Sequence, residues 1–369
     1  MATKRLFSSC IIGLLALAGA GTALRGQTVG FAYVANCGSP CDGTMPGNVS
    51  AYSIDGTGAL TQIAGSPFPA GTASHSVAVD PAGQFAYVAN LGSNDVSAYS
   101  IDAATGALTP VAGSPFPAGT ASHSVAVDPT GQFVYVANVQ SNTVSAYAID
   151  RTTGALTPVA GSPIPSGQPT AVAVHPTGQF AYVPSGNTDN VSAYVIKRAG
   201  GLLPLCSSPF PAGTTPFSAA VDPMGQFVYV TNDISNNVSA YTIDGITGAL
   251  SAVAGSPFPA GLSPRSVTVD PTGRFTYVAN LSSNDVYAYS IDRTTGALTP
   301  VAGSPFPAGS GPGSMTVNGT GQFVYVPNGG AGDVSAYAID GTTGALTPVA
   351  GSPFPAGMVP ISVTTTIPQ

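Results

Sequence analysis

Seven tyrosines divide this chain into near-equal parts. Tyr33, Tyr87, Tyr135, Tyr182, Tyr229, Tyr277 and Tyr325 each sit in a variant of Phe-x-Tyr-Val-x-Asn, at spacings of 54, 48, 47, 47, 48 and 48 residues. A fixed period of this length marks one supersecondary unit per repeat, and such a unit buries its faces only by stacking on its neighbours. The unit from Ser76 to Gly119 holds four strand-like runs and no helical stretch. They are A (Ser76-Val-Ala-Val-Asp80), B (Phe85-Ala-Tyr-Val-Ala89), C (Val96-Ser-Ala-Tyr-Ser-Ile101) and D (Leu108-Thr-Pro-Val-Ala112). A and B are joined by Asp80-Pro-Ala-Gly83, with Asp, Pro and Gly where a type I turn favours them. C and D are joined by Asp102-Ala-Ala-Thr-Gly106, a short hairpin whose Gly can take φ > 0. The unit is therefore a four-stranded antiparallel blade.

The repeat starts and stops off a blade boundary. The mature chain begins at strand B (Phe31) and ends on Ile361-Ser-Val-Thr-Thr-Thr366, which matches strand A. Three strands, six complete blades and one last strand make seven blades of four. An open ring would expose unpaired strand edges. The offset lets the last strand pair into blade one and remove them. The expected fold is all-β, a seven-bladed propeller closed by its C-terminal strand, forming a single domain over residues 24–369.

Composition agrees with many short strands. Gly and Pro number 46 and 34, a share that suggests disorder when it is aperiodic, but 44% of the residues are hydrophobic and the turn residues recur on the period. All 16 acidic residues are Asp. Asp caps tight turns through its short side chain and Glu does not. Residues 1–23 read as a secretory signal: Lys4 and Arg5, an apolar run from Ile11 to Ala18, then small residues to Ala23. The run is too short for a transmembrane anchor. A secreted, periplasmic or cell-surface location is expected. With seven basic residues beyond the signal against 16 Asp, nucleic acid and anionic membranes are excluded as partners. A monomer is expected, and no cofactor.

The segments Asp128-Pro-Thr-Gly-Gln-Phe-Val-Tyr-Val-Ala-Asn138, Ile149-Asp-Arg-Thr-Thr-Gly-Ala-Leu156 and Gly113-Ser-Pro-Phe-Pro-Ala-Gly119 recur through almost the whole mature chain. In these the chain resembles the YVTN and lactonase-type (6-phosphogluconolactonase-like) seven-bladed propellers. The resemblance implies a site at the central channel, on the face carrying the B–C and D–A loops. It also implies lactone-opening or lactone-forming chemistry, in which related lactonizing enzymes pair His and Arg with a Glu. This chain has no Glu.

Residues outside the repeat are the ones to examine for function. Subtraction leaves Tyr287 among the tyrosines, Phe217 among the phenylalanines, and Asp42, Asp95, Asp189, Asp233, Asp285 and Asp333 in or beside B–C connections. The position just before strand A is the most variable column: His75, His123, Thr170, Phe217, Arg265, Gly313 and Ile361. It should ring the channel mouth, with Arg265 opposite the two histidines. The catalytic candidates are His75, His123 and Arg265, with Asp95 and Asp285 as acids; Phe217, Tyr287, Asp333 and Thr170 are candidates for ligand contact. Blades two and three are near-identical, so the two histidines can equally be products of duplication. His175 replaces a turn Asp on the opposite face and is given no site role. The recurrent Asn (Asn36, Asn90, Asn138, Asn232, Asn280, Asn328) reads as loop capping rather than a metal ring, and no metal is expected. Cys37 and Cys41, in a lengthened loop of an exported chain, are expected to form a disulfide. Cys206 takes the place of Ala112 and is expected to be buried.

Two functions follow from these residues. The first is a small molecule or extracellular partner bound at the channel mouth without catalysis. The alternative is a lactone hydrolase or lactonizing enzyme using His, Arg and Asp there, with a histidine base titrating near its ordinary value of about 6.5. A phosphorylated lactone fits poorly, because Arg265 is the single firmly site-facing cation and phosphate prefers several donors.

Overall fold

The computed structural model describes residues 27–39 and 41–366; the expected signal segment lies outside them. Seven antiparallel sheets form a ring. Blade two shows the plan, from the channel outward: strand A (Ser74–Val79), B (Phe85–Asn90), C (Asp95–Ile101) and D (Leu108–Pro110). Blade one is assembled from both ends of the chain. Pro360–Thr365 pairs antiparallel with Thr28–Asn36, setting Val34 opposite Val363 and Ala35 opposite Ser362. Phe31 N–H and Thr366 Oγ1 add a 2.9 Å hydrogen bond at the end of this seam.

The outer edge differs from the sequence reading in one respect. Strand D ends at Pro110, the chain bulges through Val111–Pro115, and Phe116–Pro117 returns to pair with the start of strand C. Ala98 N–H, between the two pieces, donates instead to Ser114 Oγ at 2.9 Å, so the Gly-Ser-Pro-Phe-Pro segment satisfies the donor that the bulge leaves open. Every blade carries this Ser–Pro bond as cis. The bulge also corrects the expectation for Cys206. It lies here, beyond the last paired residue of its strand, and is exposed.

Blades hold together because strand B is apolar on both faces. Phe85, Tyr87 and Ala89 pack forward with Val125, Val134, Val136 and Tyr147 of blade three. The intervening Ala86 and Val88 pack backward with Tyr33 and Val49 of blade one. The same interface joins blade seven to blade one through Tyr325, Val334, Val34 and Val363. Each strand-B tyrosine also reaches the next blade's C–D turn. Tyr33 donates to the carbonyl of Gly106, Tyr87 to Gly154, and Tyr325 closes the ring onto Gly58 at 3.0 Å. These turn glycines have φ of +72° to +83°, and a Cβ on Gly106 would lie 2.4 Å from the Phe31 ring. Strand-C tyrosines point the other way, as when Tyr99 donates to Pro69 O at 2.5 Å. A buried tyrosine body with a bonded hydroxyl is thus the joint of the ring.

Tyr325→Phe keeps the ring and removes the hydroxyl, leaving a buried carbonyl unpaired. A loss of about 1–2 kcal/mol is expected in equilibrium urea unfolding. A variant as stable as the parent would show that this latch contributes nothing.

Candidate functional site at the channel mouth

The way each D–A loop enters strand A decides what faces the channel. Ala73, Ala121, Thr215, Ser263 and Val359 take φ between 51° and 57°, a left-handed conformation that non-glycine residues seldom adopt. Two residues later the ladder slips: Ser74 pairs with Asn90 but Ser76 with Ala89, so His75 is the extra residue of a bulge. The same slip occurs at His123, Phe217, Arg265 and Ile361. A bulge re-aims one side chain while the strand continues. All seven members of the variable column consequently line one cavity of about 670 Å3 at the mouth of the channel. Its deeper wall is the inner strands, with Val77, Val125 and Val267 among the lining residues.

The polar members form a continuous arc. His75 Nδ1 lies 2.9 Å from His123 O, and His123 Nδ1 lies 2.7 Å from Thr170 O. Carbonyls only accept, so each Nδ1 carries the proton and each Nε2 keeps its lone pair. The two imidazoles stack with centroids 4.0 Å apart. His123 meets the edge of Phe217 at 5.3 Å, and the Arg265 guanidinium lies 4.3 Å above the Phe217 ring. Arg265, in blade six, thus reaches the ring of Phe217 in blade five, whose edge meets His123. Its Nε and Nη2 donate to the two carboxylate oxygens of Asp233 at 3.1 and 3.0 Å.

Burial, and then the nearby Arg265 charge, push the His75 pKa down to about 4. His123 is held well below 6.5 by burial, by His75 and by Arg265. Both are neutral at neutral pH, which corrects the expectation of a histidine titrating near its ordinary value. The linked stability has a definite sign: the folded chain binds these protons less tightly than the unfolded chain, so stability rises with pH between about 4 and 6.5 and levels off above.

The other sequence candidates lie elsewhere. Asp95, Asp285 and Asp333 open strand C, and each accepts a 2.7 Å bond from the Asn that ends strand B (Asn90, Asn280 and Asn328). They belong to the repeat and do not line the cavity. Asp189, at φ 52°, accepts from Thr215 N–H, the loop role that Asn94 plays for Ala121. Asp42 bonds Thr44 within its own exposed loop. Tyr287 replaces a strand-C serine and packs beside Tyr289 at 6.1 Å, two strands out from the channel. Thr170 lines the cavity, but its hydroxyl lies 3.1 Å from Pro216 O and 3.2 Å from Pro184 O. The recurrent asparagines are buried and bonded within their blades; Asn90 Nδ2 donates to both Asp95 and Ser97. Cys37 and Cys41 are disulfide-bonded with Cα atoms 5.4 Å apart. His175 bonds Thr177 and Gly225 O on the opposite face. Among the described residues no group of three or more His, Cys, Asp or Glu is gathered to hold a metal, and no helix is long and apolar enough to cross a membrane.

Asp233 is the residue that the sequence reading left unassigned. It stood among the six acids outside the repeat, and its column offered the signal. Cys37, Leu91, Val139, Gly186, Leu281 and Gly329 occupy the equivalent place in the other blades, and none is charged. Leu281 and Gly329 line the cavity.

A search of curated protein sequences finds no match. Among solved structures, the chain is similar to a candidate 6-phosphogluconolactonase from Bacteroides uniformis, at 17% identity and TM-score 0.78 over 92% of this chain and 100% of that one. It is also similar to the periplasmic gluconolactonase of Pseudomonas aeruginosa, at 20% identity and TM-score 0.74 over 92% and 100% of the two chains. At such identities these likenesses establish the shared fold alone. The family model described as lactonase, 7-bladed β-propeller, matches residues 45–262 and 257–311, more than half of the chain. With that match and the ring of seven blades, the chain belongs to the seven-bladed β-propeller lactonase family.

Proposed function

We propose that the protein hydrolyses a small lactone in the cavity at the channel mouth, after export to the periplasm or beyond. The carrying observation is the arc itself: two neutral imidazoles with unprotonated Nε2 atoms and one guanidinium, all lining the same cavity. In this reading a histidine Nε2 takes a proton from water as the water oxygen bonds to the lactone carbonyl carbon. The carbonyl oxygen becomes an oxyanion held by an Arg265 N–H that Asp233 does not use. The histidine returns the proton to the ring oxygen as the C–O bond breaks, and a hydroxy acid leaves. The membership in a lactonase family supports this reading over binding without catalysis. Binding alone draws its support from Asp233, which occupies two of the Arg265 donors, and from the missing Glu.

The test is hydrolysis of uncharged sugar lactones across pH. A base must be unprotonated to act, so kcat/KM should be flat across neutrality and fall as pH drops through about 4, following His75. Lactones hydrolyse spontaneously at high pH, so rates are read against a no-enzyme control. The absence of turnover at every pH, with the lactone still protecting the protein against unfolding, would leave the binding reading standing.

A further inference from the structure

We propose that Asp233 is a specificity-determining residue: by occupying Arg265 it makes the cavity a site for an uncharged lactone and closes it to phosphorylated ones. The inference deepens the lactone-hydrolase reading and rests on it for the substrate, though not for the charge argument. Among the described residues, Arg265 is the one charged side chain lining the cavity. An open guanidinium there would be an anion site, because its planar fork matches phosphate and carboxylate oxygens. Here the fork is taken. Nε and Nη2 bind both oxygens of Asp233, whose side chain is 11% exposed against 32% for Arg265. Phe217 covers one face of the guanidinium. Neither histidine supplies a compensating cation, since both are buried beside Arg265 and stay neutral at neutral pH. The site is thus close to neutral inside a chain of net charge −7, and a dianionic substrate meets repulsion with no cation in return.

The arrangement is specific to one pair of blades. Asp233 N–H donates to Thr215 O, as Leu91, Val139 and Leu281 N–H donate to Ala73, Ala121 and Ser263 O in other blades. The backbone of this position is therefore fixed by the repeat while its side chain is free to vary. The one acid in this column faces the one cation in the neighbouring column. A residue whose backbone role any side chain could fill, but whose carboxylate spans a bidentate pair in the cavity rim, is placed to set charge.

Two independent readouts test this. The first uses inorganic phosphate as probe and needs no turnover: binding by titration calorimetry to the full chain, to Asp233→Asn and to the double variant Asp233→Asn/Arg265→Gln. Asp233→Asn should raise phosphate affinity on the order of tenfold, the worth of a charge-assisted hydrogen bond. The double variant Asp233→Asn/Arg265→Gln should fall back to the weak parental affinity, because the gain depends on the guanidinium that Asp233 masks. The second compares kcat/KM for an aldonolactone and its phosphorylated counterpart, whose ratio should shift on the order of tenfold toward the phosphorylated form in Asp233→Asn. Equal phosphate binding by the parent and Asp233→Asn would overturn the proposal. So would a double variant that binds phosphate as tightly as Asp233→Asn alone; Asp233→Leu, which carries the side chain of Leu91 and Leu281 at this position, supplies the same comparison if Asp233→Asn fails to fold. If no form turns over either lactone, the hydrolase reading fails while the phosphate titrations still decide the role of Asp233.

Discussion

Deleting Ile361 to Gln369 is expected to cost the protein more stability than any single substitution. The deletion removes most of the innermost strand of blade one, including buried Val363 and the pairing that sets Ala32, Val34 and Ala35 against Thr365, Val363 and Ser362. It also removes the link between blades seven and one, where Ser314 N–H donates to Ile361 O at 2.7 Å and Val363 N–H to Ser314 O at 3.0 Å. One buried valine and a ladder of backbone bonds together amount to about 5 kcal/mol or more. That is a large fraction of the stability of most domains. The melting temperature should fall by about 10 °C or more. The exposed edge of Thr28–Asn36 should drive self-association, visible by light scattering. A truncated chain that melts with the parent and stays monodisperse would refute closure by the terminal strand.

Replacing both histidines by asparagine should abolish lactone turnover and leave the fold nearly untouched. The amide nitrogen of Asn can occupy the place of Nδ1, so the bonds from positions 75 and 123 to His123 O and Thr170 O survive in kind. The Nε2 base is lost. A fall on the order of 10²- to 10⁴-fold in kcat is expected, the usual worth of general base catalysis, with the melting temperature shifted by only a few degrees. Turnover that persists in the double variant would reduce both histidines to rim latches between blades two, three and four. Single variants add a distinction. If one imidazole is the base and the other only its stacking partner, one substitution should carry nearly all of the loss.

The fold was legible because every blade repeats the same local solution. The Phe-x-Tyr-Val pattern, the Asp-Pro-x-Gly and Asp-x-x-x-Gly turns and the half-blade offset recur often enough that single ambiguities average out. The hydroxyl partners of the tyrosines were not legible, since Tyr325 and Gly58 lie 267 residues apart and meet only when the ring closes. The broken outer strand was missed for a local reason: Leu108–Ala112 has strand composition, but Ala98 N–H finds Ser114 instead.

The variable column before strand A singled out His75, His123, Phe217 and Arg265 from the sequence, and all four line the cavity. Asp95, Asp285 and Asp333 also departed from a simple count of turn acids, yet they form their own repeat column against Asn90, Asn280 and Asn328. Counting residues by type could not reveal this, because Thr143 and the asparagines Asn48, Asn190 and Asn237 fill the same place in other blades.

By itself, then, the sequence determined the all-β class, the number of blades, the offset that closes the ring and the column from which a site could be drawn. These follow from period and turn chemistry, which act over a few residues. The tertiary structure decided what those side chains do. The bulge and the left-handed residue before it turn the column inward, burial fixes both histidines neutral, and packing lays Arg265 over Phe217. The Arg265–Asp233 pair joins a D–A loop of one blade to a B–C loop of the one before, 32 residues apart in the chain. A charge is cancelled or left open by its nearest neighbour in space, and for this arginine that neighbour is set by how two blades stack.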